Sequence, residues 1–247
     1  MWLDNTSKSA IESFWQLSGY VEPFPRDLER SVALALPLSV IKLARLKLDL
    51  IEKWLTRRDV HFSFGCRTRA VRGCLIAFRG EGLVFLDGTD PRDEQRFTLA
   101  HEIGHFLIDY LLPRQKAIRK LGPSISDVID GVRQPGVTER LHGLLSGVPI
   151  TLYTQLMERE ETAGNSGIWE IEDRADKVGL ALLAPPEIVL AEAGTSSRFE
   201  ERTAVMTKLL SQRFGLPTPA AVSYARALLN SVGRGRSWAE DLRSGAH

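Results

Sequence analysis

The sequence is short of cysteine, of excess charge and of long apolar runs, and each shortage excludes a class of function. Cys66 and Cys74 are the two cysteines in 247 residues. Their spacing makes neither a CxxC metal pair nor a disulfide framework, so both read as structural thiols and any metal must be held by histidine and carboxylate. With 32 basic and 31 acidic residues, no global basic excess points to nucleic acid or an anionic surface. The most apolar segment, Ala33 to Ile51, is broken by Pro37, Lys42, Arg45, Lys47 and Asp49 and is disqualified as a membrane span. The N-terminal MWLDNTSKSAIESFWQ lacks the basic and then apolar layout of a secretory leader. A cytoplasmic protein without membrane contact is expected.

What remains is an ordinary globular composition, 43% hydrophobic and 26% charged, with enough chain to bury a sizeable core. Leu38, Ile41, Leu48, Ile51 and Leu55 fall at helical steps, which predicts a helix from Pro37 to Arg57. Two apolar runs, Cys74–Phe78 and Leu83–Leu86, flank Arg79-Gly80-Glu81-Gly82 and predict a β-hairpin. Asp90 as N-cap and Pro91 as first helical residue then announce a helix. Glycine and proline breakers divide residues 113–169 into short helical pieces and a strand near Pro149 to Met157. A helix over Ile171–Leu183 stops at Pro185-Pro186, and two more follow, from about Phe199 to Arg213 and then through Leu229.

The announced helix carries RFTLAHEIGHFLIDYL, residues 96–111. His101 and His105 are four apart and share one helical face, so both imidazoles can reach one ion. Zinc accepts neutral imidazole and keeps a position open for water in catalytic sites. Glu102, one residue round from His101, stands beside the ion, where a general base belongs. Gly104 costs helix stability, so another element is expected to approach it closely. Asp109 is excluded as a partner ligand to His101, because eight residues of helix separate them by about 12 Å; it is left on the helix surface or behind a ligand.

A third ligand must come from elsewhere. Glu170, Glu172, Asp173 and Asp176 open the helix after residue 170, and Glu172 and Asp176 share the four-residue spacing of the histidines. Glu172 is assigned as metal ligand and Asp176 as acceptor of a histidine ring N–H. The competing reading is a solvated acidic patch that complements the helix dipole.

RFTLAHEIGH, followed by Glu172-Asp173-Arg174-Ala175-Asp176 and Leu182-Leu183-Ala184-Pro185, resembles the ImmA/IrrE family of bacterial metallo-endopeptidases over roughly residues 70 to 190. Its members show R-F-T-x-A-H-E-x-G-H, then an E-x-x-A-N helix ending in L-L-x-P. The resemblance implies an α+β, zincin-like core with a small antiparallel sheet and N- and C-terminal helices. It implies Zn2+ at His101, His105 and Glu172, with Glu102 as catalytic base in peptide hydrolysis. It also implies a protein substrate, a helix-turn-helix repressor or antitoxin of the Xre type, and a role in derepressing mobile-element or stress genes. Asp176 stands where the family has Asn and keeps an acceptor there. The interval 106–171 is longer than the family's, which leaves the substrate cleft open.

The expected division is a helical segment over 1–58, a peptidase core over 59–190 with an insertion at about 113–169, and a helical, helix-turn-helix-like segment over 191–247. Tyr110, His142, Tyr153 and Tyr224 are the candidates for stabilising the oxyanion. A different class of function also fits one stretch: Leu209 to Val222 has a helix-turn-helix outline, with Arg213, Arg226, Arg234 and Arg236 to meet phosphate, which would make a DNA-binding regulator with a non-catalytic zincin-like domain. Its second helix, TPAAVSYARALL, is too apolar to read bases.

Overall fold

The leucine-rich stretch after Pro37 does not form one helix. In the computed structural model, which describes residues 2–65, 69–137, 139–140, 147–149, 151–159, 166–193 and 198–233, it splits into strand β1 (Leu38–Leu43) and helix α3 (Leu48–Thr56). Two short helices precede it, α1 (Asn5–Ser18) and α2 (Glu29–Ala35). The helical periodicity misled because both faces of β1 are covered. Leu38 and Val40 pack on one side and Ile41 and Leu43 on the other, so the strand reads as a nearly continuous apolar run.

β1 lies at the edge of a four-stranded sheet of order β1-β3-β2-β4, with β2 at Val71–Phe78, β3 at Glu81–Asp87 and β4 at Tyr153–Glu158. The predicted hairpin is β2–β3, closed by Arg79 and Gly80 with φ of 53° and 88°, the left-handed pair that a two-residue turn needs. β4, the predicted strand near 149–157, adds antiparallel to β2, whereas β1 runs parallel to β3. The sheet is therefore mixed rather than antiparallel throughout; α3 supplies the crossover that a parallel neighbour requires.

Alternation assigns the two faces. Leu75, Ala77, Val84, Leu86, Tyr153 and Met157 face the main core, while Cys74, Ile76, Phe85 and Leu156 face α3 through Ile51 and Leu55. Helix α4 (Arg92–His105) lies on the main-core face, and its residues Phe97 to His105 are all buried. Its N-cap is Pro91, with no side-chain cap from Asp90. A π-helical turn, Phe106–Leu111, follows directly and leads into α5 (Leu112–Leu121). Pro113 gives a reason for the widened turn: it has no N–H for the carbonyl four residues back, and its ring would meet that carbonyl.

After α6 (Ile125–Ile129) and β4, α7 (Ser166–Leu183) crosses α4, and α8 (Pro186–Glu192), α9 (Phe199–Gln212) and α10 (Thr218–Ser231) complete the described chain. The helical ending packs inward: α10 buries Ala221, Tyr224, Ala225, Leu228 and Leu229, Arg213 pairs with Glu192, and Arg234 and Arg236 lie outside the described residues. Cys74 is buried and Cys66 lies outside the described residues. Among the described residues no helix is long and apolar enough to cross a membrane.

One buried carboxylate ties the sheet's connections together. Asp87, at the end of β3, accepts from the amides of Arg45 and Leu46 (both 3.0 Å) and Thr89 (2.9 Å), and pairs with Arg159 at 2.5 Å. Burial opposes its ionisation, but the hydrogen bonds from Thr89, Leu46 and Arg159 outweigh it and hold the carboxyl below its ordinary range. Asp87→Ala is expected to cost about 2–4 kcal/mol in urea unfolding at neutral pH, since the buried amide of Leu46, the part-buried amides of Arg45 and Thr89, and Arg159 lose one acceptor together. Because the folded pKa is the lower one, this contribution is present above the unfolded value of 3.8 and lost as pH falls through the folded value. The difference between wild type and variant should therefore shrink in acid.

Candidate metal centre

Two helices bring the centre together, and glycine lets them meet. A Cβ on Gly104 of α4 would lie 2.7 Å from the carbonyl oxygen of Ala175 in α7, and one on Gly179 of α7 would lie 2.9 Å from the backbone of Ala100. The close approach expected at Gly104 is thus made by the helix that bears the acidic block. At this separation Glu172 Oε2 stands 3.3 Å from His101 Nε2 and 3.5 Å from His105 Nε2, and the two ring nitrogens are 3.0 Å apart.

The other ring nitrogens fix the tautomers. His101 Nδ1 is 2.7 Å from Asp176 Oδ1, and His105 Nδ1 is 2.9 Å from Asp109 Oδ2. An ionised carboxylate only accepts, so each Nδ1 carries the hydrogen and each neutral ring turns an Nε2 lone pair inward. Three acceptor atoms then face one point with no hydrogen between them. A cation satisfies that arrangement: tetrahedral zinc with ligands at about 2.0–2.1 Å sets its donors about 3.3 Å apart. Burial works against a charged His101, but hydrogen bonds to Asp176 and Glu172 overturn it and push the ring up to about 10. Glu172, whose burial opposes ionisation, is drawn down to about 2 by the two histidines. Proton or metal ion, a positive charge is what the cluster stabilises.

Glu102, also on α4, is fully buried and close enough to His101 and His105 to feel their charge. Neither of its carboxylate oxygens has a hydrogen-bond partner among the described residues. Burial, opposed by His101 and His105, pushes it up to about 7, the range in which a carboxylate takes and returns a proton near neutrality. Gly73 of β2 makes room for it, since a Cβ there would sit 2.8 Å from Glu102 Oε1.

The arrangement brings together His101, Glu102, His105 and Glu172, with Asp176 behind His101. Asp109 proves to stand behind His105, its second oxygen paired with Arg174; of the two places left to it, the helix surface is not the one it takes. Arg174 was missed by sequence reasoning, although it sits inside the Glu172–Asp176 block. Tyr110 and Tyr224 are turned elsewhere: the Tyr110 hydroxyl accepts from the amide of Gly80 at 2.7 Å, and the Tyr224 hydroxyl donates to the Ala184 carbonyl at 2.8 Å. His142 lies outside the described residues. Tyr153 stays beside the centre. Asp109→Ala is expected to weaken metal binding about 10–100-fold in competition with a chromophoric chelator. Asp176→Asn, which keeps an acceptor oxygen for His101, should lose far less.

Residues 59–123, which hold the hairpin, α4 and both histidines, match the family model for the IrrE N-terminal-like domain, Peptidase_M78. No curated protein matches the chain. Glu172 and Asp176 lie beyond the matched stretch, so their place beside the histidines rests on the geometry above. The motif helix and its hairpin fall inside that match, so this stretch of the chain is similar to the IrrE N-terminal-like domain of the Peptidase_M78 family.

Proposed function

We propose that the protein is a zinc-dependent endopeptidase whose metal is held by His101, His105 and Glu172, and whose substrate is a helix-turn-helix repressor or antitoxin met in the cytoplasm. One observation carries the reading: two imidazole nitrogens and a carboxylate oxygen converge within 3.0–3.5 Å with both opposite ring nitrogens tied to carboxylates. Zinc bound there supplies Lewis acidity toward a water and toward the scissile carbonyl. The chain's own residues do the rest. Asp176 and Asp109 hold the rings in the ligating tautomer. Glu102, buried and without a partner, takes the proton of the attacking water and returns it to the leaving amine. Among the described residues β4 is an edge strand of the sheet and its Gln155 reaches Glu172, so this edge suits an extended polypeptide added as a further strand. The choice of a repressor as substrate rests on the family resemblance.

Three purified proteins test the reading against the repressor encoded nearest the gene. Wild type should hold one zinc and cleave, and removal of the metal by a chelator should stop cleavage. Glu102→Gln should keep zinc and lose at least about 10³-fold in rate, of the order expected when general-base catalysis is removed. Glu172→Ala should lose zinc. A wild type that binds no metal, yet binds DNA tightly with a steep salt dependence, would establish the regulator instead.

A further inference from the structure

Among the described residues, Tyr153 of β4 carries a buried, idle hydroxyl near the acidic groups of the candidate centre. Tyr153 Oη is shut off from solvent and has no hydrogen-bond partner, an uncommon state for a buried polar atom and one that asks for a reason. The fold places it deliberately close. Tyr153, Gln155 and Met157 alternate onto one face of β4, and Tyr153 and Met157 pack on the core that holds α4. Gln155, two residues along on that face, reaches Glu172 Oε1 at 3.4 Å. The ring of Tyr153 is stacked on Tyr110 at 5.9 Å and 30°, and Tyr110 belongs to the π turn that directly follows His105.

Resting on the peptidase reading, we infer that Tyr153 is a catalytic residue: its hydroxyl donates a hydrogen bond to the scissile carbonyl oxygen as that oxygen gains negative charge. The electron balance needs nothing further. Water adds to the carbonyl carbon, its proton passes to Glu102, and the C=O π pair moves onto oxygen, where the Tyr153 O–H meets it. When the C–N bond breaks, that pair returns, and the amine leaves with the proton from Glu102. Tyr153 keeps its own proton throughout. Burial, together with Asp109, Glu102 and Glu172, pushes the phenol above its ordinary value, so it is a donor at any working pH. An unpaired donor whose ring is held by the stack on Tyr110 is oriented for that role before substrate arrives.

Tyr153→Phe in the full chain, loaded with zinc, is the test. The phenyl ring keeps the stack on Tyr110, so folding and zinc content should match wild type. Cleavage of the repressor should fall about 100-fold in kcat with KM within about twofold, as removal of an oxyanion donor does. A phosphinic peptide built on the cleaved sequence, which mimics the tetrahedral oxyanion, should lose affinity by a comparable factor, while the uncleaved repressor binds Glu102→Gln and the Glu102→Gln/Tyr153→Phe double variant equally. A Tyr153→Phe variant that turns over within about threefold of wild type, or whose loss of rate follows loss of zinc, overturns the assignment. A zinc-loaded wild type that leaves the repressor intact overturns the peptidase reading, and the assignment with it.

Discussion

The backbone contact between α4 and α7 is the constraint from which the centre follows. Gly104 against Ala175, and Gly179 against Ala100, allow two helices to approach more closely than any side chain larger than hydrogen would permit at those points. Helices usually pack 8–10 Å apart, according to the side chains at the contact. Here the contact is reduced to backbone, which puts a carboxylate as short-reaching as Glu172 in line with imidazoles on the other helix. A methyl group at position 104 would have to displace the Ala175 carbonyl, and Glu172 and Asp176 flank that residue. Packing and ligand geometry are in this sense one property of the sequence.

Charge completes what packing begins. Buried carboxylates are costly unless paired, yet the buried Glu102 and the partly exposed Asp109, Glu172 and Asp176 gather around two imidazoles, with Arg174 as a counter-charge at Asp109. The surplus is negative. Hydrogen bonds to Asp176 and Glu172 hold His101 up at about 10, the two histidines draw Glu172 down to about 2, and burial pushes Glu102 up to about 7; positive charge at the point the Nε2 atoms face suits the carboxylates around it. A divalent cation supplies more of it than a proton can, and it does so without occupying the carboxylate of Glu102.

Much of this was legible in the sequence, and the rest was hidden for physical reasons. The four-residue spacing of His101 and His105 is a direct statement about a helical face, and the same spacing in Glu172 and Asp176 named the partner helix. The turn at Arg79-Gly80 announced the hairpin. β1 was hidden because apolar residues on both of its faces pack against a neighbour, which blurs the alternation that marks a strand and leaves leucines that fit a helix equally well. Asp109 is about two helical turns from His101, a distance legible in the spacing, but its partnership with Arg174 depends on where α7 crosses. That Tyr110 turns to Gly80 while Tyr153 stays unpartnered among the described residues depends on the π turn over Phe106–Leu111 and on the register of β4 against β2, and neither can be read from residue types.

The helical ending shows how a pattern can be right in outline and different in use. α9, a glycine turn and α10 do form a helix-turn-helix outline, with Gly215 at a φ of 66°. The turn is not free. Arg96, the first residue of the motif segment, donates to the Gly215 carbonyl at 2.9 Å, and a Cβ at Gly215 would collide with its guanidinium. Tyr224, midway along α10, is anchored to the Ala184 carbonyl where α7 ends. Both helices carrying the candidate metal ligands are therefore braced from behind by the same pair. A recognition helix must lay its side chains into a groove, and the apolar face of α10 is already committed to the core; what the sequence offered as a reader of DNA serves in the fold as the support for α4 and α7.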